Sequence, residues 1–358
     1  MRIVDLRSDT VTKPTPRMRE AMVKAVVGDD GFGEDPTVRR LEEMAAEMLG
    51  KEAGLFLPSG TMANLVAVLV HTRPGDSIIC DENAHLYKLT LGSATAFAGV
   101  TILPQHTDAM GRLDPAEVES AINLGPHSPR TTLIVIENTN NLAGGTVLTP
   151  EETKQVADVA RQYGIPIYLD GARVFNAAVA QGIDVTDLTR DCDTAMFCLS
   201  KGLCCPVGSV LVGPKSFIEK ARRSRKMLGG GMRQAGVLAA CGIVALEEEK
   251  MIMRLEDDHK KARRLAEGIA SINPEAINLN TVQTNIICFD FNMGGLDCRN
   301  FVRALAQRGI LAIHLYGNRG RMVTHHDVSE DDIDYALEVI ESVVTEAVEK
   351  GPTSRISQ

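Results

Sequence analysis

The alternation that runs from about residue 53 to 213 constrains this chain more than any other feature. Short apolar runs (AGLFL, SIIC, TTLIVIE, IPIYLD, DTAMFC, SVLVG) alternate with segments of helical period. Uninterrupted apolar runs are the mark of strands buried on both faces, and helices of this length between them make βαβ units. The chain is therefore expected to be an α/β protein with a large, mostly parallel sheet and helices on both faces. Ligands of such sheets bind beyond the carboxyl ends of the strands. Glu137, Asn138, Asp170, Arg173 and Lys201 all stand at such ends.

Lys201 has the most telling surroundings. In MFCLSKGLCCPVGSVLVG, residues 196–213, an apolar run delivers Ser200 and Lys201 into a glycine-bounded turn before a second apolar run. Small and apolar neighbours hydrate an ammonium poorly, which favours a nucleophilic amine. Asp170 precedes Lys201 by 31 residues and ends its own strand, so the two are expected in one pocket. A second element is AGLFLPSGTMANLVAVLVH, a strand, a Pro-Ser-Gly-Thr turn and a helix that begins near Thr61. Backbone N–H groups and the hydroxyls of Ser59 and Thr61 at a helix N-terminus suit a phosphate. This is neither a Walker loop nor a dinucleotide fingerprint. His85 lies on a polar tip after another strand.

The ends of the chain differ from this middle. Residues 1–29 read as an N-terminal arm, 30–245 as the large domain and 246–358 as a smaller C-terminal α/β domain. The acidic stretch GDDGFGEDP reads as a polar loop outside the core, and its spacing does not match a calcium loop. One long charged helix is expected over 246–272. The triple-glycine loop 229–231 is flanked by Lys226 and Arg233, a pair suited to an anion.

Composition excludes several classes. A net charge of −9 argues against nucleic acid and anionic membrane surfaces. No stretch has the apolar length of a signal peptide or a membrane span. Eight scattered cysteines without metal spacing read as buried thiols of a reducing, cytoplasmic compartment. An acid for a ring nitrogen, an imidazole that can stack, a phosphate site and a reactive lysine are together what pyridoxal phosphate requires.

At this point the sequence resembles a known family. DLRSDTVTKPT, GDDGFGEDPT, LFLPSGTMANL, IENTNNLAGG, LDGARVFNA, CLSKGLCCPVGS, RKMLGGGMRQAG and RMVTHHDVS, taken in this order, resemble the threonine aldolases, fold-type I pyridoxal-phosphate enzymes of the β-eliminating lyase group. The resemblance spans residues 5 to about 330. It implies cleavage of L-threonine or L-allo-threonine to glycine and acetaldehyde, with a β-eliminating lyase or an amino-acid racemase as the alternative on the same scaffold. It implies that Lys201 forms the Schiff base and Asp170 holds the pyridine nitrogen. Gly60 and Thr61 would bind phosphate, with Arg233 and Lys226 contributing from a neighbouring subunit. His85 would stack on the ring. Ser8, Arg173 and Arg321 would bind the substrate carboxylate, and His127 would lie near the substrate hydroxyl. A homotetramer built as a dimer of dimers is implied, with no metal. Two departures stand out: Asn140 replaces a family histidine, and Cys204–Cys205 stand where smaller residues are common.

Overall fold

The computed structural model describes residues 2–350. The N-terminal strand β1 (Val4–Asp5) is followed by seven strands that form one sheet. These are β2 (Ala53–Leu57), β3 (Ser77–Asp81), β4 (Thr101–Gln105), β5 (Thr131–Glu137), β6 (Ile167–Asp170), β7 (Thr194–Cys198) and β8 (Ser209–Gly213). Their order is β2-β8-β7-β6-β5-β3-β4. All neighbours pair in parallel except β8, which runs antiparallel to both β2 and β7. β8 is reversed because only the short turn after Lys201 separates it from β7, whereas parallel neighbours require a helical crossover. Every residue of β3, β6, β7 and β8 is buried, as the uninterrupted apolar runs require.

Two apolar cores cover the sheet. One includes Phe56, Ile136, Leu169, Phe197 and Val210, and the other Leu55, Val135, Tyr168, Met196 and Leu211. Neighbouring residues of one strand thus enter opposite cores, the two-residue period of a strand buried on both faces. A third core belongs to the C-terminal part, where the strands Ile286–Asp290, Ile313–Tyr316 and Arg319–Val323 form an antiparallel sheet. Val4 and Leu6 bury in that third core, and β1 pairs in parallel with Ile310–Leu311. The first residues thus tie the two parts together across the sequence.

Two sequence expectations change. The helix expected over 246–272 is broken: Glu248 leaves helical backbone (φ −88°, ψ 97°), so Gly236–Glu247, Glu249–Met253 and Leu255–Ile272 are separate helices. After the second break, Arg254 reaches the carbonyl oxygen of Gly202 and fixes the turn beyond Lys201. The acidic stretch 28–36 is also not merely a solvated loop. Asp35 accepts from Thr37 and Val38 N–H, caps the helix Pro36–Met48, and takes the Gly236 N–H at 2.8 Å. Asp30 is buried in an ion pair with Arg225 at 2.6 Å, and Arg225 also donates to the Phe56 carbonyl. Charge pairing pulls an acidic segment inside where composition alone points outward.

Candidate active site

A cavity of about 290 Å³ opens at the carboxyl ends of β5, β6 and β7. Ser8, Gly60, Thr61, His85, Asp170, Arg173, Lys201 and Arg321 line it, so eight of the sequence-predicted site residues meet in one place. His127, Lys226 and Arg233 do not line it in this chain. His127 is exposed in the connection before β5. Lys226 lies in the last turn of the helix Lys215–Met227, packed near Gly231. The Arg233 side chain is 60% exposed and faces Asp29 at 3.7 Å.

Each lining group is set by its own element. Lys201 follows β7 directly, and Thr12 donates its hydroxyl to the Lys201 carbonyl at 2.9 Å, so the N-terminal segment fixes the backbone of the lysine. Behind it, Cys204 adopts φ +62° and its N–H returns to the Lys201 carbonyl at 2.9 Å. Cys204 and Cys205 are buried in the core. Burial pushes the Cys204 thiol up to about 11, which keeps it out of the thiolate form that oxidants attack.

Asp170 ends β6. Its Oδ2 accepts from the Asn64 amide at 2.6 Å and its Oδ1 from the Ala172 N–H at 3.1 Å. Tyr168 in turn donates to Asn64 Oδ1 at 2.6 Å. Asn64 is a residue the sequence reading missed, although a lone amide inside the apolar helix TMANLVAVLV marks it. The same helix, Gly60–His71, is capped by Ser59, whose hydroxyl accepts from Met62 N–H at 3.2 Å. A Cβ at Gly60 would meet Cys198 Sγ at 2.8 Å and Met196 Cε at 3.0 Å, so only glycine lets the helix start this close to β7.

Both arginines reach the cavity, with different freedom. Arg173 gives Nε and Nη2 to Asp9, each at 2.7 Å. Burial alone would raise Asp9, but the Arg173 guanidinium holds its carboxyl well below the usual carboxylate range. Asn285 adds a hydrogen bond to Asp9 at 3.2 Å. Arg321 donates from Nη1 to Asn141 Oδ1 at 2.8 Å and from Nη2 to the Arg7 carbonyl at 3.3 Å. Its Nε is buried without a partner, as are His85 Nδ1 and Thr139 Oγ1. Buried polar atoms are nearly always paired. Three unpaired ones on residues that line one cavity mark it as built for a polar ligand. Burial lowers His85 below the usual imidazole value, so the ring is neutral at pH 7.

Glu137 lines the cavity from the end of β5, opposite Asp170 in register. Oε2 accepts from His85 N–H at 2.6 Å and Oε1 from Asn141 N–H at 2.8 Å. Burial, reinforced by Asp170, pushes its carboxyl up to about 8. Asn140 does not enter the Lys201 cavity. It donates to Asp81 Oδ2 at 2.6 Å and anchors the loop, the hydrogen-bonding role an amide retains in place of a histidine. Among the described residues no cluster could hold a metal ion, and no helix is long and apolar enough to cross a membrane.

Comparison with known proteins places this geometry in a family. The β-eliminating lyase family matches residues 5–292. The chain is similar to low-specificity L-threonine aldolase 1 of Arabidopsis thaliana, with 46% identity over 94% of this chain and 95% of the relative. It is also similar to the low specificity L-threonine aldolase of Escherichia coli strain K12, with 41% identity over 92% and 96%. Among solved structures, the threonine aldolase of Leishmania major superposes with a TM-score of 0.82 at 20% identity, over 95% of this chain and 99% of that one. Serine palmitoyltransferase from Sphingomonas wittichii has a TM-score of 0.78 at 17% identity, over 98% and 89%. These neighbours carry the fold-type I architecture expected from the sequence. The chain belongs to the β-eliminating lyase family and, within it, to the threonine aldolases.

Proposed function

We propose that this protein is a pyridoxal-phosphate-dependent aldehyde lyase of low specificity, which splits L-threonine or L-allo-threonine into glycine and acetaldehyde. The observation that carries the reading is the meeting of Lys201, Asp170, the Gly60–Thr61 helix start and two buried arginines in one cavity. The residues fit the cofactor. Lys201 would hold it covalently, Asp170 would pair with its ring nitrogen, and Gly60 and Thr61 would face its phosphate. His85, with an unpaired ring nitrogen, would lie against the ring. When bound, the cofactor supplies an electron sink for the pair left at Cα when the Cα–Cβ bond breaks.

The chain's own groups bind and orient the substrate. Arg321 offers its free Nε to the substrate carboxylate, and Arg173 offers the Nη1 that Asp9 leaves unused. A planar fork held by Asp9 or Asn141 fixes the carboxylate plane, and with it the angle of the bond to be broken. Ser8 lies at the same edge, its hydroxyl also accepting from Thr10 N–H at 3.2 Å. Neutral His85 is suited to take the proton of the substrate hydroxyl.

His127, Lys226 and Arg233 enter this scheme from a second copy of the chain, in at least a dimer and by family analogy a tetramer. Exposed apolar side chains support that assembly. Leu89 at the cavity, Leu91, Phe32 and Met227 are 45, 102, 80 and 71% exposed. The division into an arm (1–29), a large domain (30–245) and a small one (246–358) is proposed on the same footing, as is a cytoplasmic setting, which eight free buried thiols support.

The test is incubation of the loaded enzyme with L-threonine and L-allo-threonine separately. Equal amounts of glycine and acetaldehyde are expected. 2-Oxobutanoate with ammonia, or the Cα epimer of the substrate, would overturn the aldolase reading in favour of elimination or racemisation.

A further inference from the structure

A second cavity, of about 260 Å³, lies on the far side of Glu137. Asp81, Asn140, Thr153, Gln155, Arg112 and Glu152 contribute to its polar lining, and Glu137 is the one residue it shares with the Lys201 cavity. Its outer edge is Arg112 paired with Glu152 at 2.6 Å, with side chains 40 and 27% exposed, so it reaches the surface. Its inner wall carries Thr153 Oγ1, a buried hydroxyl without a partner. A polar space of this size holds several waters, each of which takes up roughly 30 Å³.

Glu137 is the odd member of this wall. The residue is 6% exposed, and no cation forms an ion pair with it among the described residues. Its two accepted hydrogen bonds come from neutral backbone N–H groups. Asp170 on β6, Asp81 and the Cys80 thiol on β3, and His85 on the following helix face it. Arg173, Lys201 and Arg321 stand across the cavity. An acid buried among acids with no paired cation keeps its proton.

We propose that Glu137 is the proton exchanger of the site: a neutral carboxyl between two cavities that trades its proton with solvent through the second one and sets the charge beside Asp170 and His85. The inference rests on the aldolase reading for its consequence and on this chain's own geometry for its basis. In each exchange the Glu137 O–H bond breaks and the electron pair stays on the carboxylate. The proton passes to water in the second cavity, and the reverse step restores the acid. Glu137 acts on the reaction through Asp170 and His85, so it is a positioning residue. Burial and Asp170 place the exchange at about pH 8.

The test uses the protein with and without pyridoxal phosphate. Infrared spectra of the cofactor-free protein are expected to contain a carboxylic-acid C=O band at neutral pH that disappears through about pH 8. That band should be absent in Glu137→Gln. Transfer into D2O should shift it at once, and Thr153→Leu, which narrows the second cavity and removes its unpaired hydroxyl, should slow that shift. In the loaded enzyme, kcat/KM should show an ionisation near the same pH. Glu137→Gln should remove it, and Glu137→Asp should restore it with a moved midpoint. Absence of the acid band, its persistence in Glu137→Gln, or an unchanged pH profile in that variant would overturn the proposal. If wild type yields no glycine from threonine, the aldolase reading fails while the infrared result still decides the exchange.

Discussion

Asp9 grips Arg173 with both carboxylate oxygens at 2.7 Å, and their side chains are 0 and 5% exposed. The pair joins the N-terminal segment to the loop after β6 and leaves one edge of the guanidinium for a ligand. Removing one partner of a buried pair strands the other charge, at a cost of about 3–5 kcal/mol. Asp9→Asn is therefore expected to lower the urea midpoint and raise KM for the amino acid. Asp9 is depressed in the folded state, so its contribution is complete above the unfolded carboxylate range, near 3.8, and fades as pH falls below it. Wild type should lose more stability between pH 5 and 3 than Asp9→Asn does, read by thermal unfolding.

Glu137 gives the opposite slope. Its folded value of about 8 lies above the usual 4.5, so the folded state binds the extra proton. That stabilisation is complete at low pH and is lost as pH rises from about 4.5 through 8. Melting temperatures of wild type should fall between pH 6 and 9, and Glu137→Gln should show a shallower fall over the same interval.

Lys201→Ala removes the amine that the proposed function assigns to the covalent link. Turnover should drop by on the order of 10⁴-fold. The visible absorbance of the cofactor-loaded protein should disappear after dialysis. Retention of that absorbance would remove Lys201 from its role.

Asn64→Ala takes away the amide bonded to Asp170 at 2.6 Å and leaves the Tyr168 hydroxyl unpaired. A hydrogen bond to a charged group contributes about 1.5–3 kcal/mol. The dissociation constant for pyridoxal phosphate should rise about tenfold or more, measured by titrating the cofactor-free protein. Tyr168→Phe, which breaks only the outer bond, should have the smaller effect.

Light scattering should find a dimer or larger in solution. Leu91→Asp, on a fully exposed leucine, should shift the distribution toward monomer and lower activity in proportion. An active monomer would contradict a shared site.

Much of this site is legible from local sequence because its parts are local. A strand end followed by a polar residue gives Asp170 and Lys201 their places, and a Ser-Gly-Thr turn before an apolar run gives the helix start. Asp9, Asn141 and Asn285 carry no such signal. Each is a common polar residue whose partner lies far along the chain, and Asp9 and Arg173 are 164 positions apart. Asp30 shows the same limit in reverse, since its composition points to solvent and Arg225, 195 positions away, draws it inside.

Local sequence determines the βαβ alternation, the residues that stand at the strand ends and the lysine between two apolar runs, because backbone periodicity and burial act over a few residues. Tertiary structure alone decided which arginine edge is free, that Asn64 holds Asp170, and that Glu137 stands between two cavities. Those facts depend on side chains meeting across strands and helices, where desolvation and charge pairing act through space and the sequence distance between partners carries no information.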